Sequence, residues 1–200
     1  VSANLLDNDI GPKQAHNLAA IFKAHPTLKS LCGNKGNETE LDMSGKNMGA
    51  EGVIMLAPEI VANGALVSVN ILNNYIGREE AKNLAAILKE HPTLKSLCGN
   101  KGNETELDMS DKKMGAAGSI MLAPEIIKNS ALETVIISKF PLPVQDIKNK
   151  AQLDFAGKGL CLEDTVIIAL LIPFNVRYVV HLCPSITCYI IGLLPHKAGL

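Results

Sequence analysis

The sequence predicts an α/β protein, a solenoid of stacked strand-then-helix units with the strands on the concave side and the helices on the convex side. Three observations lead there. Sliding the chain by 66 residues aligns 1–66 with 67–132 at 49 identical positions of 66, and 25–44 match 91–110 without a difference. Within each copy, a period-two apolar pattern is followed by a period-3.6 one. With 47% hydrophobic and 4% aromatic residues and no Trp, the core falls to Leu, Ile, Val, Ala and Met, as in stacked repeats.

Each copy divides into sub-units of about 28 and 38 residues. In the shorter one, Val67, Val69 and Ile71 alternate before a turn ending at Gly77, which predicts a strand. Ala81, Leu84, Ala85, Ile87 and Leu88 then share one helix face, and the helix must end before Pro92. Leu5, Asn8, Ile10 and Gly11 hold the same places in the first copy. One unit cannot bury both its strand face and its helix face, whereas stacked neighbours share a core. The longer sub-unit adds ten residues, LKSLCGNKGN, read either as a further short strand at 28–33 and 94–99 or as an irregular loop. A third copy begins LETVII at Leu132, but SKFPLPVQDIKNKAQ (138–152) replaces its helix before LDFAGKGL (153–160) resumes the pattern. The expected organisation is an array at 1–137, with tandem units 1–66 and 67–132, a degenerate repeat at 138–164 and an apolar tail at 165–200.

The run LxxLxLxxNxIG followed by an AxxLAxxL helix resembles the ribonuclease-inhibitor-like type of leucine-rich repeat, strongly over 1–137 and weakly over 153–170. The resemblance implies a curved βα horseshoe with a parallel concave sheet and convex helices, serving as a rigid protein-protein interaction scaffold without chemistry of its own. It places Asn8 and Asn74 at the position whose side chain satisfies buried loop backbone. In ELDMSGKNMGAEG and its copy, Lys46 and Lys112 stand there instead, so those turns are expected to be looser or solvated. Similar repeats also form the sensing arm of NOD-like receptors and resemble the Ran GTPase-activating protein, although no catalytic residue of the latter carries over. A sensing arm of a larger NOD-like or membrane-anchored receptor is therefore the alternative reading.

Composition narrows the chemistry. A formal charge of −1 gives the whole molecule no pull towards nucleic acid. Cysteines at 32, 98, 161, 183 and 188 form neither a CxxC pair nor a cluster with His, so no metal site and no disulfide framework is expected, and the thiols suggest a reducing, cytoplasmic setting. Cys32 and Cys98 are expected in or near the core. Gly33-Asn-Lys-Gly36-Asn lacks the spacing of a phosphate loop and precedes a strand, so it reads as a turn. Asn37 and Asn103 satisfy the N-x-T glycosylation rule, which the cytoplasmic reading disfavours. His25 and His91, each before a Pro, read as turn residues. No cofactor, metal or catalytic group is expected, and the protein is read as a non-enzyme. The opening at Val1, already in mid-pattern, reads as a fragment of something longer.

The remaining candidate is the concave face, where side chains not committed to the core point outward. Its residues are expected to be Asn4, Leu6, Asp7 and Asp9; Asp42, Ser44 and Asn47; Asn70, Leu72, Asn73 and Tyr75; and Asp108, Ser110, Asp111 and Lys113. Of these, Asp7, Asp9, Asp42, Asn70, Asn73, Tyr75, Asp108 and Asp111 are taken as partner-binding. Five Asp against one Lys make the strip acidic, and Tyr75 is its aromatic anchor. The expected partner is a protein with a basic segment, bound repetitively because the two copies offer near-identical surfaces. The stretch 165–194 holds 21 apolar residues of 30, but Pro173, Asn175, Arg177, His181 and Pro184 interrupt it. A membrane segment, a buried cap and a non-native tail are the three readings of it, and membrane association is expected only through this stretch.

Overall fold

The computed structural model describes residues 1–150, 152–172 and 179–181. The chain is a mixed α/β protein in two units, Val1–Lys101 and Gly102–Leu200. The first contains α1 (Pro12–Ala24), β1 (Glu40–Asp42), α2 (Gly49–Ala62), β2 (Ser68–Asn70) and α3 (Arg78–Glu90). The second contains β3 (Glu106–Asp108), α4 (Gly115–Lys128), β4 (Thr134–Ile136), β5 (Pro141–Pro143), α5 (Val144–Asn149), β6 (Gln152–Asp154), α6 (Leu162–Leu171) and β7 (Val179–His181).

In the first unit β1 and β2 run parallel, pairing Glu40 with Ser68, Leu41 with Val69 and Asp42 with Asn70. Parallel strands need a crossover, and α2 supplies it. Alternation does the sorting: Val69 is fully buried, while Glu40 and Asp42 face solvent. On the helices, Ala15 and Ala19, Leu56 and Ile60, and Leu84 and Leu88 are buried, as the 3.6 spacing predicts. A buried leucine of this kind contributes about 1.5–3 kcal/mol relative to an exposed one. Gly11 and Gly77 precede the first turns of α1 and α3, with Pro12 preset for helix at the start of α1 and Glu79 and Glu80 favouring the positive end of α3.

The segment at 28–33 takes a form between the two expected ones. Ser30 forms a single parallel bridge with Ser2, and Ser96 does so with Ser68. The chain then turns at Gly33 and Gly99, whose φ angles of +83° and +79° favour glycine, and a Cβ there would lie 3.2 and 3.1 Å from the Cβ atoms of Asn4 and Asn70. The buried carboxylate of Glu59, on α2, holds the first of these segments. Its Oε2 accepts from Ser30 Oγ (2.7 Å) and Asn34 Nδ2 (2.9 Å), and its Oε1 from the backbone N–H groups of Leu31 (2.6 Å) and Cys32 (3.1 Å). Burial, and then the neighbouring Glu59 charge, push the Cys32 thiol far above its ordinary range, so it is an inert core thiol, as expected.

Asn74, 2% exposed, spans two sub-units. Its Nδ2 donates to the carbonyls of Met43 (2.7 Å), Ile71 (2.9 Å) and Leu72 (3.3 Å), and its Oδ1 accepts from Met48 N (3.3 Å). Gly49 N donates to the Asn74 carbonyl and Gly45 N to that of Leu72. The turn around Lys46, expected to be loose for want of its own asparagine, is therefore tied by the asparagine of the following sub-unit.

In the second unit β3 and β4 repeat the parallel pairing, with Glu106 opposite Thr134 and Asp108 opposite Ile136. The departure at 138–152 then becomes visible as structure: β5 folds back antiparallel on β4 and the short α5 follows. Val144 N donates to Glu133 O. Alternate residues of a strand direct their N–H groups the same way, so positions 141 and 143 face away from β4, and both are prolines without an N–H. Lys148 Nζ donates to Ile126 O (2.7 Å) near the end of α4, and burial lowers the pKa of its amine. The pattern resumed at 153–160 is again strand, turn and helix. β6 leads through Gly157 and Gly159 to α6, whose Asp164 Oδ2 accepts from Cys161 N (2.9 Å) and Ser138 Oγ (2.6 Å).

No helix among the described residues is long and apolar enough to cross a membrane. The readings of 165–194 fall largely outside the described residues; within them, 165–171 belong to α6 and are mostly buried. Replacing Asn74 by Ala strands the Met43 and Ile71 carbonyls and the Met48 N–H, Leu72 O keeping Gly45 N, and is expected to cost about 2–4 kcal/mol in urea unfolding. The same change at its exposed counterpart Asn8, which bonds only Leu5 O and Leu6 O, should cost under about 1 kcal/mol.

Candidate protein-binding face

The residues expected on one face separate into a strand set and a turn set. In the first unit Asp42 and Asn70 end β1 and β2 and lie beside each other in register, the spacing between such strands being about 4.8 Å. Asp42 is exposed, whereas Asn70 is half-buried, its Oδ1 accepting from Leu72 N (3.3 Å). Asp7 and Asn73, at φ +58° and +65°, and Tyr75, at +53°, belong to the strand-to-helix turns, as does Asp9. Asp7, Asp9 and Asn73 are exposed and Tyr75 is 85% exposed. In the second unit Asp108 ends β3 and Asp111 lies in the turn after it, both exposed. Leu72, expected outside, is 4% exposed and belongs to the core. The strict alternation stops at Ile71, where the Asn70 side chain draws the backbone into a turn.

Two acidic strand residues, one in each unit, escaped the sequence reading. Glu40 and Glu106 sit two residues before Asp42 and Asp108 on the same side of their strands, and both are exposed. Period-two counting backwards from Asp42 would have found them. Glu51, at the start of α2, joins Asp7, Asp9 and Asn47 around a shallow polar recess of about 320 Å³. Among the described residues no cluster of His, Cys, Asp and Glu could hold a metal ion.

In each unit the strand-end carboxylate is held as an anion. Asp42 Oδ1 accepts from Ser44 Oγ (2.6 Å) and N (2.9 Å), which lower its pKa, Lys46 adding to the effect. Ser110 does the same for Asp108, at 2.7 and 2.9 Å. The glycine-rich turn is closed to anions from within. Burial raises the pKa of Glu38, but backbone N–H groups of Lys35, of Glu38 itself, and of Gly36 and Asn37 outweigh it and hold the group low. The carboxylate thus occupies the donors that a phosphate would need. His25 and His91 are turn residues as expected. His25 Nδ1 accepts from Thr27 N and Leu28 N, and His91 Nδ1 accepts from Thr93 N and Leu94 N.

Compared with known proteins, the chain matches no family model, no curated protein and no solved structure. What the face can do is therefore read from its own chemistry: fixed negative charge on short rigid strands, with an exposed phenol at the adjoining turn.

A carboxylate stabilised by donors in the folded state has a pKa below its unfolded value. Its contribution to stability is present above the unfolded value and is lost as pH falls through the folded one. In an NMR-detected titration the Asp42 and Asp108 carboxyl groups should titrate below the ordinary Asp range. Ser44→Ala should raise only the Asp42 midpoint; a midpoint unmoved by that change contradicts the assignment.

Proposed function

We propose that the chain is a leucine-rich-repeat solenoid of the ribonuclease-inhibitor-like type, and that it acts as a non-catalytic interaction module. Its strand face takes a protein partner through a basic segment. The repeated strand-turn-helix pattern and the Asn74 ties between neighbouring sub-units support the architecture. The observation that carries the function is the exposed pair Glu40 and Asp42 on β1, repeated as Glu106 and Asp108 on β3. Asp42 and Asp108 are fixed by their bonds from Ser44 and Ser110, so these two lose little conformational freedom when a partner docks. Tyr75 supplies a rigid amphipathic contact of the kind that concentrates binding energy. A reducing cytoplasmic compartment suits the buried Cys32 thiol.

Fluorescently labelled decalysine, titrated with the full chain and followed by anisotropy, tests this reading. Binding should weaken with added salt, as expected for exposed charges screened over a Debye length of about 8 Å. Glu40→Lys with Asp42→Lys should weaken it roughly tenfold or more. Tyr75→Ala combined with Asp108→Lys should also weaken it; affinity unchanged in that double variant would sink the proposal.

A further inference from the structure

Helix α2 carries apolar residues on its outward side as well as on its buried one. Gly52, Val53, Met55, Leu56 and Ile60 are buried, yet its outward residues are also apolar: Ile54 and Ala57 half-buried, Val61 59% exposed. A surface helix ordinarily carries charge on that side. Here α2 packs closely on α1 and only sparingly on α3, which leaves a groove of about 750 Å³ floored by α2 and walled by Ala19, Phe22 and Leu28 on one side and Ile87 on the other.

The tandem copy provides an internal comparison. The helix α4 has the same core sequence, but there Ile120 and Ala123 are buried, and the helix packs on α6. The copies also differ in charge at this place. Ala24 and Ala62 of the first copy stand where the second has Glu90 and Lys128.

The groove's titratable lining residues have one sign: His16, Lys23 and His25 line it, and no carboxylate does. Lys23 forms no ion pair among the described residues. His25 presents a defined donor, because its Nδ1 accepts from Thr27 N and Leu28 N, which leaves the ring proton of the neutral imidazole on Nε2. Lys23, in the last turn of α1, and His25, at its C-cap, both line the groove. The volume falls within the range of about 300–1,000 Å³ typical of small-ligand sites.

We propose that this groove binds a single-chain carboxylate amphiphile, its acyl chain laid along Ile54, Ala57 and Val61 and its carboxylate at Lys23 and His25. The site is independent of the strand face and of any protein partner there. The test is calorimetric titration of the full chain, below micelle-forming concentrations, with dodecanoate, dodecan-1-ol and dodecyltrimethylammonium. One equivalent of dodecanoate should bind, the alcohol several-fold more weakly and the cation not at all. Val61→Glu and Lys23→Glu, both surface changes expected to leave the circular dichroism unaltered, should each weaken dodecanoate roughly tenfold. No dodecanoate binding overturns the proposal, as does equal uptake of all three amphiphiles that ignores both substitutions. If dodecanoate fails while sedimentation shows a dimer that Val61→Glu dissociates, the groove belongs to a second copy of the chain and the proposal is again overturned.

Discussion

A single buried carboxylate organises the first unit. Glu59 is 6% exposed, and an isolated ionised group at that depth would be unaffordable. Four donors from one five-residue stretch, two backbone and two side-chain, make it tenable. The dependence is mutual. Leu31 O accepts from Leu5 N on one side of this segment, but the N–H groups of Leu31 and Cys32 point the other way, and the carboxylate supplies their acceptor from α2. The ten-residue excursion therefore departs from a fixed point, and β1 starts from a defined place. Where the turn needs a second anchor, Glu38 closes it from its own far end.

Asn74 applies the same logic between sub-units. Carbonyls at the end of a short strand have no ladder partner and, once buried, need a donor from elsewhere. One amide with two donors and an acceptor satisfies groups from two successive sub-units together, so stacking and hydrogen bonding are coupled. These strands have three residues each, and a ladder that short would hold little by itself. The side-chain ties, with the leucine and isoleucine layers behind them, do the rest.

What the sequence disclosed follows from how local each signal is. The strand at Val69 and the helix face of Ala81, Leu84 and Leu88 are set by burial with a fixed period, and both were legible. So was Asn74, through its place in a repeated pattern. Glu59 was not: a charge inside the run LAPEI carries no sign of partners 25–29 residues upstream. The tie on the Lys46 turn was hidden for the same reason, since its donor and acceptor lie in the following sub-unit. For the candidate face, the acidic positions Asp42 and Asp108 were read correctly as exposed, while Leu72 was misplaced because the alternation ends one residue earlier than counting implies. The apolar outward positions of α2, Ile54, Ala57 and Val61, stand in the sequence, but whether they are covered depends on the spacing of the neighbouring helices.

The prolines of β5 have a consequence for how the protein could have grown. A parallel ladder accepts another strand only if the incoming chain finds both donors and acceptors, and at positions 141 and 143 the outward edge has no N–H to give. The edge is a terminator written in the covalent structure, indifferent to concentration or to the sequence of whatever approaches. A strand arriving at that edge finds carbonyls alone, so the three-stranded sheet does not grow past β5 by backbone pairing.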